Sequence, residues 1–425
     1  MRLPHRKLWV TLAVIALVLS AAWFFAQDQE FIHVQSAYSA EDPRFPAYIS
    51  AVADSPLTSG GRFDVLTNGV QVLPAMLGAI GQARERIVFE TYIFSDGELA
   101  QQFSAALASA AQRGVKVYLL LDSVGAKDIG DDNEKRMRAA GVNVAWFNPI
   151  SMRSIEEINS RTHRKILVVD GKIGFTGGVG VADHWMGNAD AKEHWRDTQF
   201  RIEGPPVRFL EACFFENWIE SAGVVMPVID EVEELRQDVA PVSTLSVAVW
   251  SSPGGGHNSV KKLFLLSIGA ARRTLDIQTP YFVMDGSTRW SLEQAAARGV
   301  RIRILTESEQ TDAKAVKYAS RAGYEGLLAA GIELYEYQPT MMHVKTTIVD
   351  GVWSVIGSSN LDNRSLELND ENNIGVADRS LAARLTADFE ADLTRTSRLQ
   401  LDKWRQRPWI EKVREHFWSA FGEVF

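Results

Sequence analysis

His163, Lys165 and Asp170 are repeated as His343, Lys345 and Asp350, each 180 residues further on, and a glycine follows at the same distance in both copies, Gly177 and Gly357. The first copy reads HRKILVVDGKIGFTGG and the second HVKTTIVDGVWSVIGS, so the polar positions are kept while the apolar filler differs. A chain repeated in this way folds as two similar halves. The repeat extends upstream: Ile80 to Phe94 aligns with Ile268 to Phe282 at an offset of 188, and Arg113 to Leu121 with Arg298 to Thr306 at an offset of 185. Changing offsets mean unequal loops. Each half runs helix, strand, helix, strand and then a hairpin carrying the motif, an alternation that predicts an α/β domain around a largely buried sheet.

With 425 residues, 46% hydrophobic and 23% charged, the chain has material for two globular domains of ordinary size. Its formal net charge of −8 argues against a nucleic acid as the main partner, because a protein that meets phosphate backbones usually carries a basic surface. The single cysteine, Cys213, excludes an intramolecular disulfide and reads as a small buried residue of a helix. Leu8 to Ala26 is an uncharged run of 19 residues between a basic flank (Arg2, His5, Arg6, Lys7) and an acidic one (Asp28, Glu30). At that length it can span a hydrocarbon core of roughly 30 Å, and it reads as a transmembrane anchor with the N-terminus inside and the body on the far side. A secretory signal cleaved after Ser20-Ala21-Ala22 is the competing reading, and either one exports the body. The expected division is residues 1–46 as anchor and linker, 47–240 as the first half and 241–425 as the second half, which ends in a C-terminal amphipathic helix. That helix carries Ile410, Val413, Phe417, Phe421 and Val424 at helical spacing among tryptophans and cations, which suits a bilayer surface or a packed helix equally.

The repeated motif carries the chemistry. Residues two apart on a strand point to the same side, so His163 sits beside Lys165 and His343 beside Lys345. Two halves meeting about a pseudo-twofold axis bring two imidazoles and two ammonium groups to one tetrahedral phosphate. The lysines would carry oxygen charge, one histidine would attack phosphorus and the other would protonate the leaving alkoxide, with no metal required. A zinc site fits poorly, because the spacing lacks HExxH and a lysine beside each histidine repels a cation. Asp170 and Asp350 both precede glycine between apolar strands, which is a hairpin-turn signal. The candidates for orienting the imidazoles are instead Asp197 in HWRDT and Glu371 in NDENN, without a pairing that the sequence can assign. Met341 and Met342 would line an acyl-chain entrance or pack in the core, and His184 and His194 are expected not to be ligands.

The two HxKxxxxD motifs, each followed by GG or GS, together with WRDTQFRIEGPPV, IQTPYFV and YEYQPTMMHVKTTIVDGVWSVIGSSNLDNRSLELNDENN, resemble the phospholipase D superfamily over roughly residues 55 to 425, and within it the bacterial cardiolipin synthases. The resemblance implies two αβα sandwiches packed face to face around one shared site. It implies transfer of a phosphatidyl group through a phosphohistidine, from one phosphatidylglycerol to another with release of glycerol; phospholipid hydrolysis is the alternative. His163 and His343 match the catalytic histidines, with attack assigned to His163. Lys165 and Lys345 match the phosphate-binding lysines, Asp170 and Asp350 the signature aspartates, and Asn360 the asparagine after the second motif. The first copy departs from the pattern at Gly180, where many members carry asparagine. Ser358 and Thr176 are further hydroxyl contacts or ordinary turn residues.

Overall fold

The computed structural model describes residues 31–149, 160–225, 244–252 and 258–422, together with Trp9. Apart from Trp9, the apolar run expected to span a membrane lies outside the described residues, and among those no helix is long and apolar enough to cross one. The first eight strands are β1 (Leu57–Ser59), β2 (Arg62–Thr67), β3 (Arg86–Thr91), β4 (Lys116–Asp122), β5 (Asn143–Phe147), β6 (Ile166–Val169), β7 (Ile173–Gly177) and β8 (Thr198–Glu203). The next eight are β9 (Leu245–Ser251), β10 (Thr274–Gln278), β11 (Arg301–Glu307), β12 (Glu333–Tyr337), β13 (Thr346–Val349), β14 (Trp353–Gly357), β15 (Glu371–Ala377) and β16 (Thr396–Arg398).

Among the described residues these strands form two sheets, one of seven in the order β2-β8-β7-β6-β3-β4-β5 and one of nine in the order β1-β9-β15-β14-β13-β10-β11-β12-β16. Without its two edge strands the second sheet has the same order as the first. In both, the three strands nearest one edge run parallel and the motif hairpin joins them antiparallel, so β6 lies on β3 as β13 lies on β10. The duplication read from the sequence is thus a duplication of topology, a mixed α/β fold in two halves. One expected boundary moves. The helix Phe45–Val52, which straddles the expected start of the first half at residue 47, and β1, expected within it, belong to the second: β1 pairs with β9, and Phe45 and Ile49 pack with Trp353 in the core of the second sheet. An apolar segment is claimed by whichever sheet edge is open, and local sequence does not say which.

Alternation along the strands sorts their side chains between two layers. Ile87 and Phe89 of β3 face helices Asn68–Gln82 and Glu98–Gln112, while Val88 points the other way. That second layer is shared: Val88, Ile166, Val168 and Phe200 of the first sheet, Ile348, Ile356, Ile374 and Val376 of the second, and the helices Val207–Ala222 and Arg379–Leu393 form one apolar cluster. Each sheet is covered on both faces, which is why every residue of β3, β6, β13 and β14 is buried, the polar ones of β3 and β13 included. Cys213 is buried on the first of these helices, as expected.

Candidate active site

Two backbone bridges tie the halves together at the motif, and they are related by the pseudo-twofold axis. Thr162 bridges to Asp370, and Arg196 to Met342. Around them the N–H of His163 donates to the carbonyl of Asp370 (2.8 Å), and the N–H of His343 to the carbonyl of Arg196 (2.7 Å). Each histidine is therefore laid beside the residue that follows its partner carbonyl in the opposite half. His163 Nδ1 lies 2.8 Å from Glu371 Oε1, and His343 Nδ1 lies 2.8 Å from Asp197 Oδ2. The pairing that the sequence left open is crossed: each half supplies the imidazole of one dyad and the carboxylate of the other.

The lysines complete the cluster. Lys165 Nζ donates to the carbonyl of His163 (2.8 Å), and Lys345 Nζ donates to that of His343 (2.9 Å) while lying 3.1 Å from its Nε2. Burial, with the charge of Lys345 adding to it, brings the Lys165 ammonium down to about 7, and burial brings Lys345 to about 8. Both imidazoles are held down to about 4, again chiefly by burial, with the lysines lowering them and the carboxylates opposing. Burial also works against the charge on Asp197 and Glu371, but the facing imidazoles and lysines outweigh it and keep both carboxyls below their ordinary range. The crossed dyads, each with a lysine bonded to its own histidine's carbonyl, gather the four cationic or titratable groups along the seam between the halves. With Nδ1–H given to a carboxylate, the ring presents Nε2 as a lone pair when neutral and as a proton donor when charged.

The departures of the first motif from the second are steric. Ser358 bonds through its hydroxyl to Glu371, whereas the equivalent Gly178 has no room for a side chain, since a Cβ there would come within 2.2 Å of Asp197 Oδ1. Asp197 takes its second support from the indole N–H of Trp185 (2.8 Å). The same indole fills the space beside Gly180, where a Cβ would meet it at 2.9 Å, so no asparagine can stand there. On the other side Asn360 is present, with its buried side-chain oxygen free of any hydrogen-bond partner among the described residues. Thr176 accepts from the amide of Asn372 across the interface (2.7 Å). Trp185 and Trp195 were not singled out in the sequence, yet their rings lie 5.7 and 5.4 Å from that of His343, with His184 stacked on Trp195 at 3.7 Å. The only signal for them was their nearness to Asp197 in the chain. Two buried arginines brace the same seam: Arg196 grips Asp392, and Arg164 donates to the carbonyls of Cys213 and Ser251. Met341 and Met342 are core residues, and His194 bonds Asp190 at the surface.

The family described as "Cardiolipin synthase, PLD-like domain" matches residues 76–188 and 265–393, once in each half. A cardiolipin synthase of Geobacillus kaustophilus is 32% identical over 371 residues, 86% of this chain and 72% of that protein. The chain belongs to the cardiolipin synthase family of the phospholipase D superfamily. It is accordingly an enzyme, a phosphatidyltransferase of that superfamily. A probable cardiolipin synthase of Bacillus subtilis is likewise 32% identical, over 90% of this chain and 76% of that one. The fold of this family member is also that of a phosphatidylserine synthase from Haemophilus influenzae, with a TM-score of 0.69 at 14% identity over 90% of this chain and all of the other. A polyphosphate kinase from Porphyromonas gingivalis shares it less fully, with a TM-score of 0.52 at 15% identity over 89% of this chain and 53% of the kinase.

In this cardiolipin synthase-family protein the signature aspartates lie at the far end of the motif hairpins from the histidines. Asp170 (φ 52°) and Gly171 (φ 65°), like Asp350 (φ 54°) and Gly351 (φ 68°), have the paired left-handed conformations of a type I′ turn. The Asp350 carboxylate accepts from the backbone N–H groups of Arg272, Arg273 and Thr274 (2.9, 2.7 and 2.9 Å), and Asp170 does the same for Arg84, Glu85 and Arg86. Each clamps the start of the central strand to the motif hairpin. Asp350→Ala leaves three N–H groups without that acceptor and is expected to cost about 2–3 kcal/mol of stability in denaturant unfolding. Turnover per folded molecule should stay close to that of the parent; a fall in turnover at unchanged stability would return Asp350 to the chemistry.

Proposed function

We propose that the protein joins two phosphatidylglycerol molecules into cardiolipin and glycerol through a phosphohistidine. The observation that carries this reading is the pair of crossed imidazole–carboxylate dyads beside two lysines. Nε2 of His163 attacks phosphorus, and the bond to the headgroup glycerol breaks as His343 gives that oxygen its proton. The free hydroxyl of a second phosphatidylglycerol then attacks the phosphohistidine, returns its proton to His343 and releases Nε2. The lysines, with the Asn360 amide, carry the charge on the equatorial oxygens. A bound phosphodiester adds a negative charge beside both rings, which favours the protonated His343 imidazole that the first step requires. Lys345 beside Nε2 of His343 supports the assignment of attack to His163, since that lysine competes for the lone pair a nucleophile needs.

The experiment is lipid product analysis with phosphatidylglycerol as sole substrate and a metal chelator present. Cardiolipin and glycerol in equal amounts are expected; phosphatidic acid instead of cardiolipin would establish hydrolysis, and abolition by chelation would overturn the metal-free mechanism. The pH profile follows from the lysines. They must be protonated to receive an anionic phosphodiester, and in the free protein they lose that proton near 7 and 8. As pH rises through that range, kcat/KM should fall with apparent values belonging to the pair, while the fall in kcat lies higher because the bound anion favours the charged ammonium. A flat kcat/KM from about pH 6 to 9 would count against lysines as the oxyanion cradle.

A further inference from the structure

The helix Trp409–Ser419 is packed on the body by its polar side. Glu415 is 2% exposed and is bonded by Arg407 and Arg321, and the Arg414 guanidinium lies 3.9 Å over the ring of Tyr318. Trp409, Ile410, Val413 and Phe417 face outward, each more than half exposed. A helix serving only to cover the domain would turn that stripe inward and leave the ion pairs to solvent. Here the ion pairs hold it the other way round, so the apolar face is left for something outside the chain.

Two observations place the stripe on the molecule. The helix packs along Lys314–Ala322, which begins just past Asp312. Asp312 accepts from the hydroxyl of Tyr281 (2.5 Å), whose ring is 6.4 Å from that of His343, so the stripe flanks the site. Ser419 and Gly422, at the end of the helix, line one cavity with Asp285, Gly286 and Arg289. The described chain also begins there, with Phe31 against Gly286 and the N–H of Ile32 donating to Ser287 Oγ (3.0 Å). Phe31 and Ile32 thus lie on the face that carries the stripe.

We propose that this face lies on an anionic bilayer, with Trp409, Ile410, Val413 and Phe417 inserted at the headgroup boundary. Arg407 is taken up by Glu415 and Arg405 pairs with Glu325, while Lys403, Lys412 and Arg414 remain beside the stripe with Glu411 as the one acidic residue among them, a balance that suits lipid phosphates. The orientation brings the mouth of the site to the membrane. The purpose of the docking rests on the substrate being a membrane lipid, but the docking is measured without turnover.

Cys213 is buried, so a cysteine introduced by Val413→Cys can be labelled selectively with an environment-sensitive fluorophore in the full chain, reconstituted into vesicles of phosphatidylethanolamine and phosphatidylglycerol. The expected result is a blue-shifted, severalfold brighter emission that lipids brominated on their acyl chains quench. The same label at Lys135→Cys, on an outer helix of the first half where the lysine side chain is 73% exposed, should stay water-like. A water-like signal at Val413→Cys would overturn the proposal. So would a signal that rises with protein density and resists the brominated lipids, because that marks a second copy as the occupant. Either failure leaves the product analysis unaffected, and a hydrolysis product would leave this result standing.

Discussion

His163→Ala and His343→Ala are each expected to lower turnover by at least about 10³-fold, and the double variant should be no worse than the weaker single one. The reason is geometric. Each ring is bonded to a carboxylate of the opposite half and tied by its own backbone N–H to that half. In the proposed reaction, nucleophile and acid act in series on one phosphorus, so losing either should empty the same pathway. Two independent sites would behave differently, since each single variant would keep about half of the activity. Steady-state assays on the three variants decide the matter, and residual activity near one half in either single variant would break the shared-site arrangement. If His163 is the nucleophile, the His343→Ala protein should still form a phosphoenzyme from a substrate whose leaving group needs no proton. Mapping the trapped adduct to His343 by mass spectrometry would reverse the assignment.

Glu371→Gln and Asp197→Asn are expected to reduce kcat by roughly 10²–10⁴-fold while leaving the fold intact, because the amides keep the shape but cannot stabilise an imidazolium or hold Nδ1 as its donor. The effect crosses the interface: the second-half substitution Glu371→Gln cripples His163, and the first-half substitution Asp197→Asn cripples His343. The readout that separates orientation from folding is the histidine itself. Its Nδ1 proton resonance, seen by NMR with labelled histidine, should shift or exchange faster for His163 alone in Glu371→Gln and for His343 alone in Asp197→Asn. Perturbation of the histidine in the same half would mean that the crossed dyads do not form in solution. Loss of Ser358 should weaken only the Glu371 pair, because the Asp197 side has Gly178 there and leans on Trp185 instead.

Much of this was legible in the chain because repetition is a local property. The motif spacing alone placed His163 and Lys165 on one face of a strand end, predicted the Asp-Gly turns and announced two α/β halves, since strand alternation and turn chemistry act within a few residues. Even the departure at Gly180 was visible as a missing side chain. Its cause was not, because the indole of Trp185 arrives there through a backbone path that the linear order does not specify.

Tertiary structure alone decided which carboxylate serves which histidine. The sequence determined that two imidazoles, two ammonium groups and two carboxylates would be available; the bridges Thr162–Asp370 and Arg196–Met342 determined that they would be exchanged between halves. Those bridges depend on how two covered sheets settle against a common apolar layer, a packing outcome summed over many side chains and encoded at no single position. The same distinction governs the edges. That the C-terminal segment would be an amphipathic helix was local; that β1 would extend the second sheet, and that the helix would turn its apolar side outward, followed from an open edge beside β9 and from the buried grip of Arg321 and Arg407 on Glu415.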